Sequence, residues 1–478
     1  MRERSERIDC TEKLICDKRV RLLGNHLGDL GGNRMSENSS IVDNHSVRET
    51  DESRHIRAEL CLSNHWEILS KTVDCHVNEY SDEHPDAPIR KSDDPQSWKD
   101  ECLGKVTIEL RLRRRRLYRC PHCGHLCHAH EYVDREYIHV PEMGHDVVLK
   151  VNVPKLKCDE CGRTPQIRFP LARPRVSYTK EVEKSVLRLL CSNTISATAK
   201  FLHIGAWVVS DILMYHVEHS LPEQDLSGVT TIFIDETQLR KGHDYVTVFS
   251  DINHRIIFIT EGKGIDALER FCTHLMIQGG DPDNIRVVSA DMSSTFEAGV
   301  LSYFRNATLV WDRFHLVQAI NKDLNDVRKR TLKRRKGEPL RHVKYTVLKR
   351  PQNLNEKDEE RLKDIRLNNL ELALAYDMKE GFCSILENTD MYEAQAEFEE
   401  WYAWVMSCGC PEMVKRAEIF LLKANRILAW FDHRVNNGVA EGINSKIQKT
   451  KSAAYGYSNI INFSAMCLYR YGDLVVVF

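Results

Sequence analysis

No stretch of this 478-residue chain approaches 18 uninterrupted apolar residues, which excludes a transmembrane helix. Met1 to Leu30 lacks the apolar centre of a secretory signal and carries Arg, Glu and Asp throughout, so the chain reads as cytoplasmic. Net charge is almost absent: 68 Lys and Arg stand against 70 Asp and Glu, which rules out a globally basic nucleic-acid coat and leaves any such affinity to local patches. Aromatic residues are missing from residues 1–60, and no apolar period runs through them. That segment has little with which to build a core and is expected to be disordered. It equally suits an upstream extension, with Met35 as an internal start. A repeat of solenoid length is also lacking. The 16 cysteines are spread along the chain, which in a reducing compartment points to buried apolar groups or metal ligands rather than a disulfide framework.

What is present is an ordinary soluble composition, 42% hydrophobic and 29% charged, long enough for two to four domains. Trp66 to Val73, Lys105 to Leu117 and Asp146 to Val153 alternate apolar and polar residues as strands do, with a polar loop at 81–97. Among them lie Cys120-Pro-His-Cys123 and Cys158-Asp-Glu-Cys161, each followed by a glycine. Two such pairs bring four thiolates, Cys120, Cys123, Cys158 and Cys161, into the tetrahedral cage that Zn²⁺ favours. No position would remain for water, so the zinc is structural, and His122, His125, Cys127 and His128 are read as surface residues. A redox Cys-x-x-Cys or two unrelated buried pairs is the alternative. Arg113 and Arg115, in a run with Arg111, Arg114, Arg116 and Arg119, suit phosphate neutralisation, and equally a sheet edge kept soluble by charge.

After Pro174 the apolar period becomes helical. Tyr178 to Cys191, Thr194 to Leu202 and Ala206 to Val217 read as three helices with a turn at His203-Ile204-Gly205, the order of a helix-turn-helix and also of any three-helix packing unit. Trp207 and Ser210 fall at the start of the third helix, where DNA would be met. Further on, Thr231 to Asp235 is a β run ending in a carboxylate, followed by Tyr245 to Asp251, Arg255 to Thr260, a helix from Ile265 to Ile277 and Arg286 to Asp291, again ending in a carboxylate. A meander, a crossover helix and a return strand beside the first would set Asp235 and Asp291 together. With Glu441 at a helix start, three acids can hold two Mg²⁺ ions at a phosphodiester. Residues 316–435 read as a long charged helical insertion, and 322–350 contain 12 Lys or Arg against 3 Asp or Glu. That excess suits a DNA grip or a solvated surface. Lys446 and Lys449 follow Glu441 on its helix.

The blocks Ile234 to Asp251, Val288 to Phe296, Trp311-Asp-Arg-Phe-His315 and Gly438 to Lys446 resemble the DDE transposases of bacterial insertion sequences, the ISL-three family, and the similarity covers roughly residues 60–470. The resemblance implies an RNase H-like catalytic domain, Asp235, Asp291 and Glu441 as its acid triad, and Asp312 and His315 as supporting residues. The expected architecture is multidomain α+β: an extension at 1–60, a β-rich module with a zinc ribbon at 61–170, a helix-turn-helix at 171–225 and the catalytic domain at 228–470. The expected partners are double-stranded DNA, at element ends and target, and a second copy of the chain in a synaptic complex. No membrane and no small-molecule substrate are expected. Cleavage and strand transfer would depend on two Mg²⁺ ions. A decayed copy that only binds DNA is the alternative, and a zinc-bearing nuclease that cuts without joining is a third reading.

Overall fold

The computed structural model describes residues 50–75, 104–239, 245–334, 343–433, 438–457 and 459–476. Residues 1–49 and the expected loop at 81–97 lie outside these. The chain divides at Ala58 into two units. The first ends in a helix, Asp51–Glu59 (α1), whose last residue opens the second, although the aromatic-free segment led to an expectation of disorder up to residue 60. Asp51 and Glu52 in its first turn and Arg57 in its last oppose the helix dipole favourably.

The second unit begins with a four-stranded sheet in the order β1-β2-β6-β5, formed by Trp66–Cys75 (β1), Gly104–Leu112 (β2), Ala129–Glu142 (β5) and His145–Leu156 (β6). β2 and β6 are parallel, and the two outer pairings are antiparallel. Val106, Ile108 and Leu110 on β2 and Val147, Leu149, Val151 and Val153 on β6 are buried, the period of two that the sequence displays. β2 stops at Leu112, short of the expected Leu117, because Arg113 to Arg116 offer no apolar residue for the buried face. The short ribbon of Tyr118–Arg119 (β3) and Leu126–Cys127 (β4) carries the first cysteine pair.

Lys180–Leu190 (α2), Ile195–Phe201 (α3) and Ala206–Ser220 (α4) follow. The Thr194 side chain caps α3 by accepting from the Ala197 N–H, and His203 takes the turn at φ 52°. Among the described residues no single helix is long and apolar enough to cross a membrane.

The larger sheet has the order β11-β10-β7-β8-β9, from Thr231–Gln238 (β7), Tyr245–Asp251 (β8), Ile256–Glu261 (β9), Val287–Ala290 (β10) and Thr308–Trp311 (β11). β7, β10 and β11 are parallel, while β8 and β9 return antiparallel. Ile265–Ile277 (α5) and Ser294–Tyr303 (α6) make the crossovers. Ile232, Ile234, Val288 and Ala290 share one core with these helices, where Phe249 and Phe271 stack at 4.3 Å. Phe233, Val246, Val248, Val287 and Val310 belong to a second core, with Ile443, Ile447 and Phe463 and the apolar residues of α2 and α4. The three-helix unit and the sheet thus have one core in common.

From Arg313 to His433 the described chain is helical: Arg313–Arg334 (α7), Lys344–Leu348 (α8), Glu356–Asn368 (α9), Leu370–Glu387 (α10), Met391–Ser407 (α11), Pro411–Leu422 (α12) and Ala424–His433 (α13), with short turns between. Gly438–Ala453 (α14) and Ile460–Tyr471 (α15) close the fold.

Candidate active site

β7 pairs with β10 from Thr231 to Phe233 opposite Val287 to Ser289, so the next positions along the two parallel strands bring Asp235 beside Asp291. Within a strand, residues two apart share a face. Asp235 therefore shares the face of Phe233, in the core with α14, and Asp291 that of Val287. β11 ends one residue before Asp312, whose carboxylate accepts from the Phe314 N–H at 2.9 Å and so starts α7. One turn on, His315 Nε2 lies 3.5 Å from Asp235 Oδ1 and 3.8 Å from Asp312 Oδ2. Four side chains converge, one from within β7, two from just past the ends of β10 and β11 and one from the start of α7.

Their electrostatics follow from this proximity. Burial pushes the Asp291 carboxyl above its ordinary value, and the Asp235 charge adds to that, against the opposing pull of His315 and the Ser293 N–H. The hydrogen bond to Asp235 pushes His315 upward against its burial, with Asp312 and Asp291 helping. Glu236, the next residue on β7, is a carboxylate that sequence reasoning passed over. Burial, then Asp291, raises it, while Lys263 draws it down. Its signal was the Asp-Glu doublet, masked by the expectation that the strand ends at Asp235 when it runs on to Gln238.

Glu441 lies on α14, and its side chain is outside what the structure describes. The helix itself is fastened to β7: Gln448 Nε2 donates to Thr237 Oγ1 at 3.2 Å, and Lys451 Nζ donates to the Gln238 carbonyl. Position 441 is seven residues before Gln448, on the same stripe of the helix. The hard carboxylate oxygens of Asp235 and Asp291 fit Mg²⁺, and a divalent cation there would relieve the burial cost carried by Asp291.

The DNA-binding candidates are scattered. Arg113 pairs with Glu67 at 3.3 Å, and Arg115 is exposed. Trp207 is 71% exposed, whereas Ser210 Oγ accepts from Asn462 Nδ2 of α15 at 3.3 Å. The exposed charges of α4 are Asp211 and Glu218, and no Lys or Arg lies on that helix. Lys446 reaches over the Tyr471 ring at 5.6 Å, and Lys449 is exposed. The positive excess of 322–350 is partly cancelled in three dimensions. Arg330 pairs with Glu371 and Glu412, Lys349 with Asp358, and Arg350 with Glu380 and Glu387, all acids from later helices. Residues 335–342 lie outside the described chain.

A second site is formed by Cys120, Cys123, Cys158 and Cys161, whose sulfurs all lie within 4.8 Å of one another, with Cys123–Cys158 at 3.5 Å and Cys120–Cys161 at 3.9 Å. Thiolates about 2.3 Å from a tetrahedral Zn²⁺ stand about 3.8 Å apart, so the four fit the ion. Gly124 and Gly162 take φ 77° and 65°, as the turns require. Cys127 stays outside the cage, its thiol donating to the Tyr118 carbonyl at 3.7 Å.

Residues 232–467, the span from β7 into α15, match the family model for DDE transposases of the ISL3 (ISL-three) type, described as transposase. The chain is 26% identical over 346 residues to the transposase for insertion sequence element IS1001 of Bordetella parapertussis, covering 71% of this chain and 85% of the relative. It is 23% identical over 386 residues to the transposase for insertion sequence element IS1557 of Mycobacterium tuberculosis, covering 74% and 85%. The class is that of DNA transposases. This chain belongs to the ISL3 family of DDE transposases, and membership implies an enzyme that acts on DNA with divalent metal.

Proposed function

We propose that this transposase binds the terminal inverted repeats of its insertion sequence and catalyses Mg²⁺-dependent cleavage and strand transfer, with Asp235, Asp291 and Glu441 as catalytic acids in an RNase H-like domain at 228–470. The observation that carries the reading is the convergence of Asp235 and Asp291 on the neighbouring parallel strands β7 and β10, with His315 bridging toward Asp312. Asp235, Asp291 and Glu441 would hold two Mg²⁺ ions, whose positive charge would make an attacking oxygen more acidic and stabilise a leaving one.

The chain's own groups do the rest. Asp312 fixes the first turn of α7 and with it His315, and His315 holds Asp235 in place and offsets the negative charge of the cluster. Attack is in line at phosphorus, first by water to free a 3′-hydroxyl and then by that hydroxyl on target DNA, with no covalent protein intermediate. Arg113, Arg115, Lys446 and Lys449 neutralise phosphates. The helix-turn-helix of 171–225 meets the element end through exposed Trp207, and Ser210 joins it only by exchanging its bond from Asn462. Zn²⁺ on the four cysteines shapes the N-terminal module, and pairing of two ends calls for at least a homodimer.

The test is Mg²⁺-dependent cleavage and joining of a labelled duplex carrying the element's end, native chain against Asp235→Asn. Cut and joined products that vanish in the variant, with end binding retained, support the reading. End binding in both with cleavage in neither replaces it by a DNA-binding protein without catalysis, and cleavage without joining by a nuclease.

A further inference from the structure

Away from the acids, a groove of about 640 Å³ opens where residues 166–177 cross the sheet beside β5. Tyr137 and Phe169 pack in its floor, their rings 5.1 Å apart. Four arginines line it: Arg135, Arg168, Arg173 and Arg175. Arg173 is committed to the protein. It bonds Glu183 at 2.6 Å and Tyr178 Oη at 3.0 Å and lies 3.4 Å over the Tyr215 ring. The other three face water. Arg135 donates to Gln166 Oε1 at 3.1 Å, and among the described residues no carboxylate pairs with Arg168 or Arg175.

Two acids also line the groove, Asp134 and Glu136. They alternate with Arg135 and Tyr137 along β5 and so stand on the opposite face, where Asp134 accepts from Asn152 Nδ2 at 2.6 Å. Arg175 has φ 68°, a left-handed backbone that favours glycine, so an arginine there holds its charge out at a conformational cost. Three exposed arginines spread along one groove suit a string of phosphates rather than a single small anion.

We infer that this groove binds a DNA strand through its phosphodiester backbone, with Arg135, Arg168 and Arg175 as the donors. The inference rests on the DNA-binding reading above and adds a site to it. Guanidinium groups offer paired donors to phosphate oxygens, and such contacts position DNA without reading its sequence.

The experiment is salt-dependent binding by the full chain, zinc loaded, to two duplexes of equal length, one carrying the element's end and one of unrelated sequence. The variant is Arg168→Ala with Arg175→Gly, the second change chosen because glycine accepts φ 68° without strain. Loss of two phosphate contacts lowers the slope of log affinity against log salt by about 2, and weakens both duplexes equally, on the order of tenfold at low salt. The pair Arg168→Lys with Arg175→Lys keeps most of the slope. An unchanged slope in the first variant, or a loss confined to the element end, overturns the groove while leaving the DNA-binding reading standing. Absence of binding by the native chain to either duplex overturns both.

Discussion

His315 stands among three carboxylates that would otherwise face one another with little compensation: Asp235, Asp291 and Asp312. Its replacement by Ala removes the group that orients Asp235 without removing an acid. A residue that supports a metal ligand from outside is worth about 10–100-fold in metal affinity or activity. His315→Ala is therefore expected to lower cleavage by that factor at fixed Mg²⁺ and to leave end binding unchanged, read from initial rates and an anisotropy titration. Arg330 is the corresponding case in the helical stretch, bonded to both oxygens of Glu412 at 2.7 and 2.8 Å and to Glu371 at 2.6 Å. Arg330→Ala takes the guanidinium from two half-buried carboxylates and should cost about 2–3 kcal/mol, checked by denaturant unfolding.

At the scale of elements, the two cysteine pairs join strands that cannot bury much on their own: β3 and β4 are two residues each. Cys158→Ser, or a strong chelator, is expected to release one zinc per chain and to expose Tyr118 and Leu156, which pack against the cysteines. Atomic absorption and tyrosine fluorescence would check both. Asp358 ties α8 to α9 by accepting from Lys349 Nζ and Thr346 Oγ1. These bonds, Lys349 first, hold its carboxyl down at about 2 from an ordinary 3.8. A depressed carboxylate contributes stability above its unfolded value and loses it as the pH falls through the folded one. The unfolding midpoint should thus drop between about pH 4 and 2, and Asp358→Asn should show a smaller drop, seen in melts across that range. The strand and helix order was legible in the period of apolar residues, and the four thiolates in their spacing. The balance of 322–350 was not, because the acids facing Arg330 and Arg350 lie 30 or more positions along the chain for every pair.

For the whole molecule, the common core of α2 to α4 and the larger sheet has a mechanical consequence. Arg470 of α15 donates to the carbonyls of Leu190 at 2.8 Å and Asn193 at 2.7 Å, and Tyr469 Oη donates to that of Leu187 at 2.7 Å. The helix-turn-helix candidate is thereby fastened to the sheet that carries the acids. Residues 171–225 cut out alone should not fold stably, since Val209, Ile212 and Leu213 would lose their cover. In the full chain this unit and the sheet should unfold together, which calorimetry and hydrogen exchange would show as one transition for both. Separate transitions would mean that the shared core contributes little.

The sequence by itself determined the order of the elements, the four cysteines that cluster, the two aspartates of neighbouring strands and the family. These depend on spacing over a few residues, or on blocks whose order along the chain carries the information. Tertiary structure decided what depends on distant segments meeting. It brought His315 to Asp235 and drew Glu236 into the acid cluster. It turned Ser210 toward Asn462 and cancelled part of the basic stretch. It also left Arg135, Arg168 and Arg175 facing one groove. Charge and burial are sums over neighbours in space, and folding, not chain order, selects those neighbours.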